Sequence, residues 1–279
     1  MPSADMTPHF CGIFSALGRG QRNKPFSAPR YRAWTPYSSP PSVRVMAQEA
    51  FGFLYVASVW VLPVLLAITL HEAAHGYVAW RLGDDTAWRQ GRVSFNPLRH
   101  VDPIGTVALP ALLLLLRAPF LFGWAKPVPV AFHRLRRPRR DMVLVAAAGP
   151  CTNLLLATCS ALLFHVLSFL PEAVASWVAS NLLNSILINL VLAVFNLIPL
   201  PPLDGGRVAV GLLPGVLARP LARLERYGFL IIIGVVFLLP MMGRQFGVDL
   251  EIFYWIVIVP VHWLFGLFAA LAGLNVPLQ

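Results

Sequence analysis

Five residues, His71-Glu72-Ala73-Ala74-His75, carry the densest chemistry in the chain. On a helix, two imidazoles four positions apart stand one turn apart on the same face, a spacing that holds one zinc ion. The glutamate between them can act as a base on water. Far downstream, Pro202-Leu203-Asp204-Gly205-Gly206 places a carboxylate between prolines and a glycine pair, at the end of an apolar run. Read alone, that stretch suits a turn with Asp204 as a cap. Read with the histidine pair, two imidazoles and one carboxylate make a three-ligand zinc site with a fourth position open. About 20 mostly apolar residues, 51–70, precede the motif, enough to cross a bilayer core. Ionisable groups so close to hydrocarbon are costly and mark function. The chemistry suggested is zinc-assisted hydrolysis of a peptide bond inside, or at the edge of, a membrane.

Two amides are candidates for steadying a substrate carbonyl or an oxyanion. Asn153 opens the third apolar run in Gly149-Pro150-Cys151-Thr152-Asn153, and Asn196 lies just before Pro199. Their rival role is to hydrogen-bond neighbouring helices, as membrane asparagines commonly do. Asn181, Asn184 and Asn189 take that helix-packing reading. Cys11, Cys151 and Cys159 have no paired spacing, so neither a disulfide framework nor a cysteine metal site is implied.

The elements that position these groups are membrane helices. The 279 residues are 57% hydrophobic and 12% charged, about half the usual charged share of a soluble domain. Apolar runs fall at 51–80, 104–122, 142–170, 174–200, 226–242 and 252–273. Six simple crossings would leave the histidines and Asp204 on opposite sides. One intervening run must therefore not cross. Run 104–122, short and interrupted by Pro110 and Pro119, reads as a re-entrant or irregular segment buried against protein. The fold class expected is an all-α polytopic membrane protein with about five transmembrane helices.

This topology puts loops 81–103, 123–141 and 201–225 on one side, and they carry nearly all the basic residues of the helical region. That asymmetry points to the cytoplasmic side of a cell membrane. It also accounts for the net charge of +10 without nucleic acid. Residues 1–45 are basic and rich in Pro and Ser. They read as a disordered extension, with Met46 as a candidate start. The core expected is 46–210, followed by two C-terminal transmembrane helices in 211–279.

The histidine motif, Gly149-Pro-x-x-Asn153 and Asn196-Leu-Ile-Pro-Leu-Pro-Pro-Leu-Asp204-Gly-Gly together resemble the site-2 protease family of intramembrane zinc metalloproteases. Ser94-Phe-Asn-Pro97 and Gly123-Trp-Ala-Lys-Pro-Val-Pro-Val130 are similar to members with a minimal core, lacking a PDZ or CBS domain. The resemblance implies one zinc ion per chain on His71, His75 and Asp204, with Glu72 catalytic. It further implies transmembrane protein substrates, an active site facing the cytoplasm within the bilayer, and an irregular or β-like segment between the first two core helices. The alternative is a non-enzymatic membrane protein that binds or transports zinc. Convergence of the ionisable residues at one depth favours the hydrolase over a path for ions.

Overall fold

The computed structural model describes residues 41–116, 123–248 and 250–274. Most of the extension read as disordered, residues 1–40, lies outside the described residues. Helix α1 runs Pro41–Arg81, so residues 41–45 continue the first helix back into that stretch. Pro41 suits its start, because the first N–H groups of a helix have no internal acceptor. A short helix α2 (Thr86–Arg89) follows. Next come a π-helical turn at Pro103–Ala108 and helix α3 (Leu109–Leu115). Helices α4 (Pro138–Leu163) and α5 (Glu172–Asn196) complete the first half.

Two short helices, α6 (Asp204–Leu212) and α7 (Gly215–Arg223), then precede two long apolar stretches. The first contains α8 (Glu225–Ile233), a π-helical turn and α9 (Leu239–Gln245). The second contains a π-helical turn and α10 (Val259–Leu271). Among the described residues there is no strand. Five helical stretches are long and apolar enough to cross a membrane: Phe51–Arg81, Pro138–Phe169, Glu172–Asn196, Glu225–Gln245 and Tyr254–Leu271. Large apolar side chains such as Phe51, Leu54, Leu155 and Trp263 face outward. Such a surface is stable in lipid and would aggregate in water.

Small residues bring the helices together. Ala157 and Ala161 of α4 are fully buried against Ile186 and Leu190 of α5 and Val261, Phe265 and Ala269 of α10. Lipid is as apolar as these side chains, so close packing of small residues, rather than escape from solvent, drives the association. Asn184 adds an interhelical bond, its amide donating to Val59 O of α1 at 3.0 Å.

The described residues that flank run 104–122 lie as the parity argument requires. The Trp124 N–H donates to Gly105 O at 3.1 Å, and the Thr106 hydroxyl donates to Trp124 O at 2.8 Å. The two ends of the apolar run therefore meet on one side instead of being separated by the membrane. The returning chain, 123–131, is irregular but firmly held. Lys126 N–H donates to His100 O at 2.9 Å. The buried Arg92 guanidinium donates to the carbonyls of Lys126 at 2.6 Å and Pro127 at 3.2 Å. Fully buried Asp84, just beyond α1, accepts from the Thr86 hydroxyl and N–H and, at 2.6 Å, from Ala131 N–H. Burial alone would push the Asp84 carboxyl up. The hydrogen bonds from Thr86 and Ala131, with Arg134 nearby, outweigh it and hold the carboxyl below the usual range.

Two outcomes are expected. With native cysteines replaced, Arg99→Cys and Arg137→Cys should react with an impermeant thiol reagent from one and the same side, and Phe246→Cys from the other; labelling of 99 and 137 from opposite sides would mean that 104–122 crosses. Asp84→Ala, which leaves the half-buried Ala131 N–H without its acceptor, should destabilise the fold by about 1–3 kcal/mol, read as a lowered midpoint in a detergent thermal melt.

Candidate metal centre

Helix α1 carries His71 and His75 on one face, within the apolar span and two turns from its end. Their rings meet edge to face with centroids 4.7 Å apart. Asp204 arrives from the start of α6, after the loop 197–203 that carries Pro199, Pro201 and Pro202. This loop folds back on the first turn of α6. A Cβ on Gly205 would strike the carbonyls of Leu197 and Ile198, and one on Gly206 would strike the backbone of Leu200 and Pro201. Glycine at both positions is what lets the loop turn that tightly and aim the carboxylate at α1.

The three side chains converge. His71 Nε2 and His75 Nε2 are 3.1 Å apart, and each lies 3.2–3.3 Å from Asp204 Oδ2. All three residues are buried. The imidazole Nδ1 atoms are already engaged: His71 Nδ1 donates to Asn153 Oδ1 at 2.5 Å and His75 Nδ1 to Val145 O at 2.7 Å. Neutral imidazoles held this way present lone pairs at Nε2, and these point at each other and at a carboxylate oxygen that no other group among the described residues satisfies. Three acceptors this close repel one another unless a cation sits among them.

The triangle fits zinc. Ligand bonds of about 2.0–2.1 Å in tetrahedral geometry separate ligand atoms by about 3.3–3.4 Å, close to the edges found here. Nitrogen and carboxylate donors with one corner left open are a catalytic zinc donor set.

A second layer fixes the first. Asn153 is fully buried. Its Oδ1 accepts a hydrogen bond from the His71 Nδ1–H, while its Nδ2 donates to Asn189 Oδ1 at 2.7 Å and to Ala67 O at 3.3 Å. Asn189 Nδ2 in turn donates to Ser185 O at 2.8 Å. This chain sets both amide orientations and makes His71 Nδ1 the donor. Asn153 therefore points at the back of a metal ligand, and both its N–H groups are occupied, the interhelical role that was the rival to its candidacy as an oxyanion donor. Asn189, assigned to helix packing by sequence, joins the metal centre through it. Asn196 donates to Leu192 O one turn back at 3.0 Å, and among the described residues no hydrogen bond ties it to the three ligands.

Gly149, which in the sequence is only the first residue of the Gly-Pro-x-x-Asn motif, acquires a role here. A Cβ there would come within 2.5–2.6 Å of His71 Cε1, His71 Nε2 and His75 Nε2. Helix α4 approaches α1 so closely at this point that its backbone walls the site. The available signal was a glycine four residues before Asn153, on the same helical face.

Glu72 lies on α1 beside the ligands. Its Oε2 accepts the Val128 N–H at 2.8 Å, tying it to the returning segment 123–131.

Comparison with known proteins places this centre in a family. The profile of peptidase family M50 matches residues 163–241, a stretch that includes Asp204. "Putative zinc metalloprotease YwhC" of Bacillus subtilis is 40% identical over 185 residues, 65% of this chain and 80% of the relative. "Putative zinc metalloprotease Rip2" of Mycolicibacterium smegmatis is 32% identical over 205 residues, 73% of each chain. Rip2 of Mycobacterium tuberculosis is 31% identical over 226 residues, 80% of each chain. No solved structure matches. The chain belongs to peptidase family M50, the site-2 protease family. It is a multi-pass membrane protease, and its metal is zinc.

Metal analysis of the purified chain should separate ligands from supports. His71→Ala, His75→Ala and Asp204→Ala should each lose zinc altogether, whereas Asn153→Ala, which frees the His71 ring to turn, should weaken it by about 10–100-fold. Gly149→Ala should also lower zinc content, because the new methyl group needs space the imidazoles occupy. Full zinc content in Asp204→Ala would remove Asp204 from the ligand set.

Proposed function

We propose that the chain is an intramembrane zinc endopeptidase that cuts peptide bonds in or near transmembrane segments of membrane proteins, as in regulated intramembrane proteolysis, with its active site facing the cytoplasm across a cell membrane. One observation carries this reading: the His71–His75–Asp204 triangle lies within and against a membrane-spanning helix, with Glu72 beside it. The basic loops 81–103, 123–141 and 201–225 support the orientation.

In this reading His71, His75 and Asp204 hold the zinc. Zinc, when bound, supplies Lewis acidity, polarising a scissile carbonyl and bringing the ionisation of water down to near neutral pH. Glu72 is the general base and then the general acid: its carboxylate takes a proton from the attacking water and returns it to the leaving amine. The Val128 N–H fixes one carboxylate oxygen, so the proton shuttles on Oε1. Asn153 acts as a positioning residue, holding the His71 ring in the tautomer that leaves Nε2 for the metal. The oxyanion role falls to Asn196: one N–H of its Nδ2 goes to Leu192 O, and the second remains to donate.

A substrate helix hides its carbonyls in its own hydrogen bonds and must unwind before attack. Segment 123–131 is the surface to receive the unwound strand. Its chemistry constrains how. The N–H groups of Trp124, Lys126 and Val128 are all spent on the protein, and Pro127 and Pro129 have none. Between 124 and 129 only Ala125 has an N–H to offer. The carbonyls of Trp124, Lys126 and Pro127 already accept from Thr106 and Arg92, so the incoming strand must do most of the donating, chiefly into the carbonyls of Ala125 and Val128.

The experiment that separates base from ligand is Glu72→Gln. Zinc content should stay at the parent level, while cleavage of a transmembrane model substrate in proteoliposomes should fall by about 10²–10⁴-fold. Near-parent cleavage in that variant would sink the mechanism, and loss of zinc would make Glu72 a ligand instead of the base.

A further inference from the structure

Residues 136–140 hold four arginines, Arg136, Arg137, Arg139 and Arg140, around Pro138. None of the four forms an ion pair with a carboxylate among the described residues. The nearest acid in sequence, Asp141, is buried and uses its Oδ2 to accept the Arg137 N–H at 2.8 Å. A surface cavity of about 420 Å³ opens beneath two of these arginines, between the first turns of α4 and the end of α6. Arg139 and Arg140 line it on the side of the first turn of α4. Its walls are Val143 and Leu144 of α4 and Gly211 and Leu212 of α6.

The cavity has two kinds of surface in a fixed order. Arg140 stands three and four positions before Val143 and Leu144, so the charge lies one turn above the apolar wall on the same helical face. Leu144 and Leu212 are half or more exposed there. Arg139 is anchored: its Nε donates to Gly211 O at 3.0 Å and its Nη2 to Leu213 O, across the gap between the two helices. Arg140 is exposed and makes no hydrogen bond among the described residues. The stretch Pro138–Phe169 is itself a membrane span, so this cavity sits where such a span leaves the bilayer.

We propose that this cavity binds one anionic phospholipid, with the phosphate on Arg139 and Arg140 and the upper part of an acyl chain along Val143, Leu144 and Leu212. Charge complementarity selects the headgroup: clustered guanidinium groups without counterions favour a net-negative lipid and disfavour one that brings its own quaternary amine. The apolar wall selects a lipid over a free anion, because inorganic phosphate gains nothing from Leu144 and Leu212. The bound lipid would link α4, which carries Gly149 and Asn153, to α6, which carries Asp204. The inference rests on the membrane setting alone and stands or falls separately from the proteolytic reading.

Native mass spectrometry of the full chain, delipidated in detergent and titrated with palmitoyl-oleoyl-phosphatidylglycerol, tests it. One lipid should be retained per chain, with about a tenfold preference over the phosphatidylcholine of the same chains. Arg140→Gln, at an exposed side chain without partners, should lower that retention by about tenfold, the scale of one charge-assisted contact. Zinc content of the variant should match the parent, which shows that the fold is intact. Arg223→Gln on α7, outside the cavity, should change nothing. Equal retention of the two lipids, or parent-level retention in Arg140→Gln, would overturn the proposal. So would an equal loss in Arg223→Gln, which would mean diffuse attraction to a basic surface. Displacement of the lipid by millimolar inorganic phosphate would reassign the cavity to a free anion.

Discussion

Three lone pairs aimed at one another in a buried space are the constraint on which the rest of this structure depends. His71 Nε2, His75 Nε2 and Asp204 Oδ2 lie 3.1–3.3 Å apart. Without a cation between them the arrangement is electrostatically unfavourable, and burial strengthens the repulsion. With one, the repulsion becomes attraction. The helix turn of α1 supplies two of the donors almost for nothing. Bringing the third demands a loop with three prolines, two glycines packed on backbone, and a parity of membrane crossings that puts α6 beside the end of α1.

The same constraint explains the polar groups around it. In the apolar interior a ligand ring that can rotate, or an amide that can flip, would scatter the donors. The chain from Ser185 O through Asn189 and Asn153 to His71 leaves neither amide a choice of orientation. His75 is held by a backbone carbonyl of α4 instead. Both supports come from α4 or through it, and α4 can come that close only because Gly149 has no side chain. Metal centre and helix packing are thus one problem with one solution.

Irregular backbone at this depth needs every polar group answered by protein. Segment 123–131 meets most of that demand through Gly105, His100, Arg92, Asp84 and Glu72, and leaves the Ala125 N–H open. The last of these ties the proposed substrate surface to the proposed base. A strand arriving on 123–131 and the carboxylate that acts on it share a common support at Val128, so displacement of one is felt by the other.

The chemistry and the membrane were both legible in one dimension. A histidine pair at helical spacing, a carboxylate among prolines and glycines, and long uncharged runs are local patterns, and local patterns survive in one dimension. Parity of crossings was also legible, because it needs only the count of apolar runs and the requirement that two ends meet; the Gly105–Trp124 contact is its three-dimensional counterpart. What the tertiary structure decided was direction and distance. Asn153 and Asn189 look alike in sequence, and either could face a substrate, a helix or a ligand. Only the packing of α4 and α5 against α1 turns Asn153 to the back of His71 and makes Asn189 its support. Gly149 could have been a helix kink beside Pro150; its closeness to both imidazoles is a property of two helices, not of one. Side-chain identity is written residue by residue, but which atom a side chain faces depends on the approach of segments far apart in the chain, and that approach is set by packing over the whole bundle.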